Sequence, residues 1–180
     1  ACPDTLAGKR DRALILIGFG TGARRSELAA LAANDITEEP EGIIVRIRHS
    51  KTGRREAAIP PGTHPATDPV RTWAAWREAA GVSGTSPAFL RVDRHGNLRG
   101  PMSPQAVGQA ITRAGERADV HARLTGHSVR AGMATEARRA GHDMLTIANQ
   151  GGWKPNSAEL YRYTRIIDRW SDNALTGIGL

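Results

Sequence analysis

Two side chains suited to acid–base and phosphate chemistry, His127 and Arg130, lie in the segment Leu124-Thr-Gly-His-Ser-Val-Arg130. A helix is predicted to begin here, so both side chains would project from one face of its first turn. Unpaired backbone N–H groups and the helix dipole favour anions at such an end, and Arg adds a bidentate grip on phosphate. A structural His beside a surface Arg is the simpler interpretation of an isolated His-x-x-Arg, so the motif needs support from the rest of the chain.

A second candidate pair, Arg24 and Glu27, follows a glycine-rich turn. Their spacing on a predicted helix fits an ordinary surface ion pair, or a Glu27 that holds Arg24 in one rotamer for a ligand. The glycines before them, Gly18, Gly20 and Gly22, do not form a Gly-x-Gly-x-x-Gly pattern, and no strand is predicted before them. These two facts argue against a dinucleotide-binding turn.

Lys51 is the third candidate, because only three of the 25 basic residues are Lys. A Lys that persists in such an Arg-rich chain can give up a proton, which Arg cannot do. It lies in Lys51-Thr-Gly53, at the turn of a predicted hairpin. Serine β-lactamases also carry Lys-Thr-Gly on a strand, but they need a Ser-x-x-Lys nucleophile, and no Ser here has a Lys three positions later.

Composition and charge indicate a nucleic-acid-binding domain. The chain of 180 residues, 39% hydrophobic, is long enough for one domain with a sizeable core. A net charge of +7 and a pI near 10.6 point to a polyanion. Only 4% of the residues are aromatic, so stacking on single strands is disfavoured and the duplex backbone is the expected partner.

The sequence shows no apolar run of membrane-spanning length and no signal-peptide pattern near Ala1. A single cysteine, Cys2, suits a reducing compartment. These features predict a cytoplasmic protein without a membrane partner. Pro3 and Gly8 flank a short segment, residues 1–8, that we expect to be a linker remnant, as in a chain entered partway.

Hydrophobic periodicity predicts an α+β domain that is mostly helical and has a small antiparallel β-sheet. Trp73 and Trp76 fall on the core face of one helix. Helices are predicted over residues 9–18, from the glycine-rich turn to about 33, and over 67–81, 103–118, 128–140 and 143–148; strands over 42–48 and 55–60; and a short extended segment over 87–92, followed by a turn at 95–97.

In order along the chain, these features resemble the tyrosine recombinases, the family of phage integrases and Cre-like enzymes. The resemblance covers residues 1–180 as a catalytic domain, and the amino-terminal core-binding domain of the family has no counterpart here. The matching segments are Thr21-Gly-Ala-Arg-Arg-Ser-Glu-Leu28, His49-Ser-Lys-Thr-Gly53, Gly126-His-Ser-Val-Arg130, Gly151-Gly-Trp153 and Arg162-Tyr-Thr-Arg165.

The resemblance implies that Arg24 and Arg130 hold the nonbridging oxygens of a scissile phosphate and that Lys51 protonates the departing 5′-oxygen. His127 would assist proton transfer or bond the phosphate, and Trp153 would donate its indole N–H where many relatives have a second His. A tyrosine would attack phosphorus and form a 3′-phosphotyrosyl link. Fixed guanidiniums, a phenol and an ammonium suit this chemistry independently, and it requires no metal or cofactor.

The attacking tyrosine is either Tyr161 or Tyr163. Relatives usually place it nine residues after the Trp or His, which here is Arg162. Asn156 and Glu159 are predicted to form a capping box, which adds one residue to the preceding turn and shifts the register to Tyr163. We therefore expect Tyr163 to be the nucleophile and Tyr161 to be the alternative, while a core position for Tyr163 stays open.

Two other functions compete with a site-specific recombinase. A helix-turn-helix DNA-binding module without catalysis would use the spacing of Ala137, Gly141 and Ile147, although a tight helix corner is the simpler interpretation. A type IB topoisomerase would use the same chemistry without partner subunits. The family order of Arg24, Lys51 and Trp153 favours the recombinase over a simple regulator.

The carboxyl-terminal tail, residues 166–180, carries an apolar stripe that so short a segment can hardly bury alone. In relatives such a tail docks on a neighbouring subunit. We therefore expect a monomer in solution that assembles with other protomers on double-stranded DNA, as a tetramer in the synapse. The stripe consists of Ile166, Ile167, Trp170, Ala174 and Leu175.

Overall fold

The computed structural model describes residues 1–50, 53–154, 156–165, 173 and 175. The predicted α+β class, mostly helical with small antiparallel sheets, is confirmed. No helix in these residues is long and apolar enough to cross a membrane. Within them the helices are α1 (Leu6–Thr21), α2 (Arg25–Ala29), α3 (Pro69–Ala80), α4 (Pro104–Arg117), α5 (Ser128–Arg139), α6 (Met144–Gly151) and α7 (Ala158–Thr164), and the strands are β1 (Ile36–Glu39), β2 (Gly42–Ile47), β3 (Arg55–Ile59), β4 (Leu90–Val92) and β5 (Leu98–Pro101).

Helix α1 begins at Leu6, three residues before its predicted start. The Thr5 hydroxyl caps it by accepting a hydrogen bond from the backbone N–H of Gly8, at 3.1 Å. Gly8 is buried, and a Cβ there would lie 1.9 Å from the carbonyl oxygen of Pro3. Residues 6–8, which we had expected to belong to the linker remnant, therefore form the first turn of the helix. The prediction missed the Thr cap, which precedes the apolar run.

The second helix is shorter than predicted. It ends at Ala29 rather than near Ala33, and a 3₁₀ turn at Ala33–Asp35 leads into β1. The Asp35 carboxylate accepts a hydrogen bond from the backbone N–H of Ala32 at 2.9 Å, which stops helical propagation there. Strand β1 is only four residues long, so its alternation was too short to be recognised in the sequence.

The first sheet has the order β1-β2-β3 and is antiparallel throughout. It contains the predicted hairpin, in which Ile43 of β2 pairs with Ile59 of β3 and Ile47 pairs with Arg55. Lys51, which the sequence analysis predicts at the turn of this hairpin, lies outside the described residues. The extended segment after residue 87 becomes β4, which pairs with β5 around the predicted turn at residues 95–97.

Two hydrophobic clusters form the interior. The first joins α1, α3 and α4 to the inner face of the sheet, and it contains Trp73 and Trp76, whose predicted burial is confirmed. The Trp76 indole donates to the carbonyl of Ala88 at 2.8 Å, so its N–H is satisfied. The second cluster joins α5, α6 and α7; its buried members are Met133, Ala134, Ile147, Ala148, Trp153 and Leu160.

Helix α5 belongs to both clusters. Val129 packs in the first cluster, and Met133, one turn later, packs in the second. Arg130 therefore lies where the two clusters meet, and it faces the turn after α1. Of the carboxyl-terminal apolar stripe, Leu175 is described and exposed, and the other members lie outside the described residues.

We predict that Leu14→Ala lowers the free energy of unfolding by about 3 kcal/mol, since Leu14 is fully buried in the first cluster and its removal leaves a cavity. Leu145→Ala is the matched control: Leu145 is 58% exposed on α6, and its loss should change stability by about 0.5 kcal/mol or less. Urea unfolding of both variants measures the difference. Equal losses would contradict the placement of α1 in the core.

Candidate functional site

Glu27 fixes the Arg24 guanidinium. Its carboxylate is buried, with 3% exposure, and it accepts from both the backbone N–H and the Nη1 of Arg24, at 2.9 and 2.8 Å. Arg24 directly precedes α2, so the same carboxylate also caps that helix. A surface pair would leave both side chains mobile. Here the guanidinium is held in one position beside the turn that follows α1.

Arg55, at the start of β3, is a site residue that the sequence analysis missed. Its Nη2 lies 3.6 Å from the second oxygen of Glu27, and its Nη1 donates to the carbonyl of Gln150 at 3.0 Å. It shares the inward face of β3 with Ala57 and Ile59, both buried. A charged residue on the buried face of a predicted strand was the signal that could have identified it.

The pKa of Glu27 is lowered. Burial acts to raise it, but hydrogen bonds from the backbone and guanidinium of Arg24 and from the Ser50 side chain outweigh burial. The pKa of Arg55 is also lowered, because burial disfavours its charge more than Glu27 favours it. Glu27 is thus an ionised carboxylate between two guanidiniums, and it also accepts a hydrogen bond from Ser50, the residue that precedes Lys51 in sequence.

Arg130 is fully buried, with 0% exposure. Its Nη1 donates to two backbone carbonyls, that of Gly22 after α1 and that of Gly151 at the end of α6, the latter at 2.6 Å. Its Cζ lies 3.7 Å from the centroid of the Trp153 ring, a cation–π contact. Burial lowers its pKa to about 10, and the nearby charge of Arg24 adds to this effect.

One edge of this guanidinium has no hydrogen-bond partner. Among the described residues, nothing accepts from Nε or Nη2 of Arg130, or from the indole N–H of Trp153, although all three groups are buried. Buried donors without acceptors are costly, and they mark places where an anion or water belongs. The Nε–Nη2 edge is the edge that binds two oxygens of a phosphate at once.

Two glycines make this arrangement possible. Gly22 has a left-handed φ of 58°, and a Cβ there would lie 2.6 Å from the side chain of Met133 and 3.0 Å from the Cα of Gly151. A Cβ on Gly151 would lie 1.9 Å from the Trp153 ring. The motif Gly151-Gly-Trp153 therefore allows the indole to cross the end of α6 and reach Arg130.

His127 and Trp153 lie at different depths. His127 occupies the N-cap position of α5 and its side chain is exposed, without a capping hydrogen bond. Trp153 is buried, with its ring against Arg130. The structure thus brings Arg24, Arg130 and Trp153 together, and it places His127 one turn before Arg130 at the solvent side.

Tyr163 faces this cluster, whereas Tyr161 points away from it. The Tyr163 hydroxyl donates to Oε1 of Glu159 at 3.1 Å, and its ring meets the Trp153 ring edge-on, with centroids 6.2 Å apart. Thr135 of α5 donates to the Tyr163 carbonyl at 2.8 Å. Tyr161 is 51% exposed. Burial and the neighbouring Glu159 carboxylate raise the pKa of Tyr163.

The predicted capping box at Asn156 is wrong. Ser157 caps α7 instead, by accepting from the backbone N–H of Leu160, and Asn156 adopts a left-handed φ of 61°. Glu159 is consequently free of the cap and turns to Tyr163 and Arg130, with its Oε1 3.8 Å from Arg130 Nε.

The corner between α5 and α6 packs as a tight helical turn. Ile147 is buried in the second cluster and Ala137 packs against it. Gly141 has a positive φ of 90° at the turn itself. This packing accounts for the spacing that also suggested a helix-turn-helix module.

Chemically, the site can bind an oxyanion beside a phenol. The unpaired edge of Arg130 and the fixed guanidinium of Arg24 supply positive charge, and the Tyr163 hydroxyl lies within the same cluster of side chains. A phosphate diester held here would present its phosphorus to an oxygen nucleophile while its charge was neutralised.

Comparisons with known proteins show the family of this chain. The model of the phage integrase family matches residues 1–169. An integrase/recombinase XerD homolog of Selenomonas ruminantium is 33% identical over 178 residues, which are 96% of this chain and 52% of that protein. The chain therefore spans about half the length of the curated relatives it matches.

Solved structures share the fold. The crystal structure of XerA recombinase has a TM-score of 0.72 at 21% identity, over 96% of this chain and 57% of that one. The XerH site-specific recombinase bound to palindromic difH substrate, a post-cleavage complex, has a TM-score of 0.71 at 21% identity, over 97% of this chain and 47% of that one.

We predict that Glu27→Gln lowers the free energy of unfolding by about 3 kcal/mol, because it leaves two largely buried guanidiniums without their counter-charge. Glu56→Gln is the matched control: Glu56 pairs with Arg46 on an exposed part of the sheet, and the change should cost about 1 kcal/mol or less. Urea titration of both variants tests this. A small effect at Glu27 would show that its charge is dispensable.

The same variant should respond to pH in one direction. Because folding lowers the pKa of Glu27, its stabilisation is complete above the pKa of the unfolded chain and is lost as the pH falls through the folded-state pKa. Gln does not titrate, so the stability gap between the wild type and Glu27→Gln should narrow as the solution is acidified. A difference in unfolding free energy between the two proteins that stayed constant during acidification would contradict an ionised Glu27.

Proposed function

Since the chain belongs to the phage integrase family, we propose that it is the catalytic part of a site-specific tyrosine recombinase that cleaves and rejoins DNA strands. The observation that carries this proposal is the unpaired Nε–Nη2 edge of buried Arg130 beside the Tyr163 hydroxyl. An anion-binding edge and an oxygen nucleophile in one cluster are the minimum that phosphoryl transfer to a protein requires.

In this proposal the two guanidiniums bind the scissile phosphate. The Nε–Nη2 edge of Arg130 takes two nonbridging oxygens, since its Nη1 is already held by the Gly22 and Gly151 carbonyls. Arg24, oriented by Glu27, contributes the second positive charge. Both groups are preorganised, so they neutralise the charge that accumulates on the phosphorane without having to reorganise.

The nucleophile is the Tyr163 oxygen. It forms a bond to phosphorus as the bond to the 5′-oxygen breaks, which leaves a 3′-phosphotyrosyl link and a free 5′-hydroxyl. Lys51 gives the leaving oxygen its proton. A second 5′-hydroxyl then attacks the phosphotyrosyl link and releases Tyr163, so the energy of the original bond is retained and the strand is rejoined. Written this way, no step needs a metal.

His127 and Trp153 support the phosphate from opposite sides. The exposed His127 at the start of α5 reaches the solvent side, where it bonds the phosphate or assists proton transfer. The Trp153 indole N–H, buried without a partner among the described residues, donates to a phosphate oxygen. Its ring also holds the Arg130 guanidinium in plane through the cation–π contact.

Double-stranded DNA and further protomers are the proposed partners. The charge of +7 favours a duplex backbone, and the related XerH structure contains its difH substrate. Exchange between two duplexes breaks four strands, and one tyrosine holds one 3′ end at a time. Four protomers are therefore needed in the synapse, and type IB relaxation, which breaks a single strand, would need only one.

Covalent capture tests the nucleophile. With a pool of short nicked duplexes of randomised sequence, we expect a protein–DNA adduct that survives denaturant, because loss of the short strand prevents rejoining. Tyr163→Phe should abolish the adduct, since the attacking oxygen is gone, and Tyr161→Phe should retain it, since Tyr161 is exposed and points away from Arg130. The opposite result would assign the attack to Tyr161.

A modified substrate tests Lys51. Lys51→Arg should bind nicked duplex normally but cleave it at least about 100-fold more slowly, because Arg keeps the charge and cannot release a proton. A duplex with sulfur in place of the 5′-bridging oxygen needs no proton on its leaving group, and it should restore cleavage. Wild-type cleavage of ordinary DNA by Lys51→Arg would remove Lys51 from the role of acid.

A further inference from the structure

Glu159 is the one acidic side chain among the described residues that contacts both the proposed nucleophile and the proposed phosphate-binding edge. Its Oε1 accepts the Tyr163 hydroxyl at 3.1 Å and lies 3.8 Å from Nε of Arg130. It stands one turn before Tyr163 on α7, so the two side chains share one face of the helix and move together. Neither the capping of α7, which Ser157 provides, nor the proposed cleavage steps so far use this carboxylate.

We propose that Glu159 is the proton acceptor for Tyr163 in strand cleavage and that the arriving phosphate activates it by engaging the Nε–Nη2 edge of Arg130. This rests on the proposed function, since it concerns the attack of Tyr163 on phosphorus. The carboxylate lies beside that edge, with Oε1 3.8 Å from Nε and no hydrogen bond to it, so a phosphate oxygen bound there would come close to Glu159. A carboxylate oxygen and a phosphate oxygen are both acceptors for the same N–H groups, so they compete for Arg130.

Before DNA binds, the proton stays on the phenol. Burial and the Glu159 carboxylate raise the pKa of Tyr163, while Arg130 and Arg162 oppose this effect. The charges of Arg24, Glu27 and Arg55 in turn act on the Arg130 guanidinium. Because a phenol is a much weaker acid than a carboxylic acid, transfer of the proton from Tyr163 to the Glu159 carboxylate is strongly uphill in this state.

Phosphate binding makes the transfer of the proton from Tyr163 to Glu159 less unfavourable. Once Arg130 binds the phosphate, its positive charge is largely neutralised for Glu159, and the phosphate adds a negative neighbour, so both changes favour the protonated form of the carboxyl group. Phosphorus bonds to the Tyr163 oxygen as the proton leaves, so no free phenolate has to form. The carboxyl group becomes neutral at the stage where negative charge accumulates on the phosphorane, which removes a like-charge repulsion.

The proton balance is complete within the site. The proton on Tyr163 Oη moves to Oε1 of Glu159 as the Oη–P bond forms. The P–O5′ bond breaks, and the 5′-oxygen takes its proton from Lys51. In rejoining, Glu159 returns its proton to the departing Tyr163 oxygen, and Lys51 recovers one from the attacking 5′-hydroxyl. The acceptor and the donor of the proton therefore exchange roles between the two half-reactions.

Glu159→Gln separates this role from a structural one. Gln keeps the length of the side chain and an oxygen that can accept from Tyr163, but it cannot take up the proton. Glu136→Gln is the matched control, since Glu136 is an exposed carboxylate on α5 that pairs with Arg139. Adduct formation on the nicked-duplex pool is measured as a rate against pH, with DNA binding and thermal unfolding recorded for each variant.

We expect Glu159→Gln to form the adduct about 100- to 10,000-fold more slowly at neutral pH, the range usual for loss of a general base. Its rate should rise about tenfold per pH unit, because hydroxide must now remove the proton, whereas the wild type and Glu136→Gln should be nearly flat over the same range. Binding of DNA should be unchanged or tighter in Glu159→Gln, since an anion that competes with phosphate has been removed.

Three results would overturn the inference. Adduct formation by Glu159→Gln as fast as in the wild type, or faster, would show that the carboxylate only lowers the reactivity of Tyr163. A loss of the same factor at every pH would show a positioning role. Absence of any adduct from the wild-type protein would contradict the proposed function, and the inference with it, and this result is distinct from a defect confined to Glu159→Gln.

Discussion

Burial of the Arg130 guanidinium is the constraint on which the site depends. A charge removed from water is costly unless its N–H groups find acceptors, and here two backbone carbonyls from distant parts of the chain accept from Nη1. To bring those carbonyls together, the turn after α1 must pass close to the end of α6. Glycine at position 22 permits that approach, and glycine at position 151 leaves room for the Trp153 ring. The same close approach of the two segments is therefore required both for the fold and for the position of the Arg130 guanidinium.

The charges around Arg130 are balanced without being neutralised. Glu27 lies between Arg24 and Arg55, and Glu159 lies against Arg130, so each guanidinium has a carboxylate near it. These carboxylates reduce the electrostatic repulsion among the three neighbouring guanidiniums. Glu27 is buried and hydrogen-bonded on both oxygens, whereas Glu159 is partly exposed and loosely paired. An incoming phosphate can replace the second carboxylate but not the first.

Helix α7 carries Tyr163, the proposed nucleophile, and owes its position to tertiary contacts. Seven residues are too few for a helix to be stable alone, so packing must hold it. Leu160 is buried in the second cluster, and Thr135 donates from α5 to the Tyr163 carbonyl. Because α5 also carries Arg130, contacts with this one helix position both Tyr163 and the guanidinium that we propose binds phosphate. A helix as short as α7 can therefore hold the Tyr163 oxygen in a defined place.

The sequence alone was sufficient for the fold class, the positions of most helices and the β2–β3 hairpin, since periodicity and local motifs report on local structure. The family resemblance, not periodicity, selected Arg24, Glu27, Arg130, Trp153 and Tyr163 as one set. It was insufficient for Arg55 and Glu159. Arg55 appeared only as the first residue of a strand, and Glu159 appeared as a helix cap. Tertiary structure alone brings Arg55 of β3 to Glu27 of α2 and turns Glu159 toward Arg130, because each of these pairings joins residues far apart in sequence through packing that no local pattern encodes.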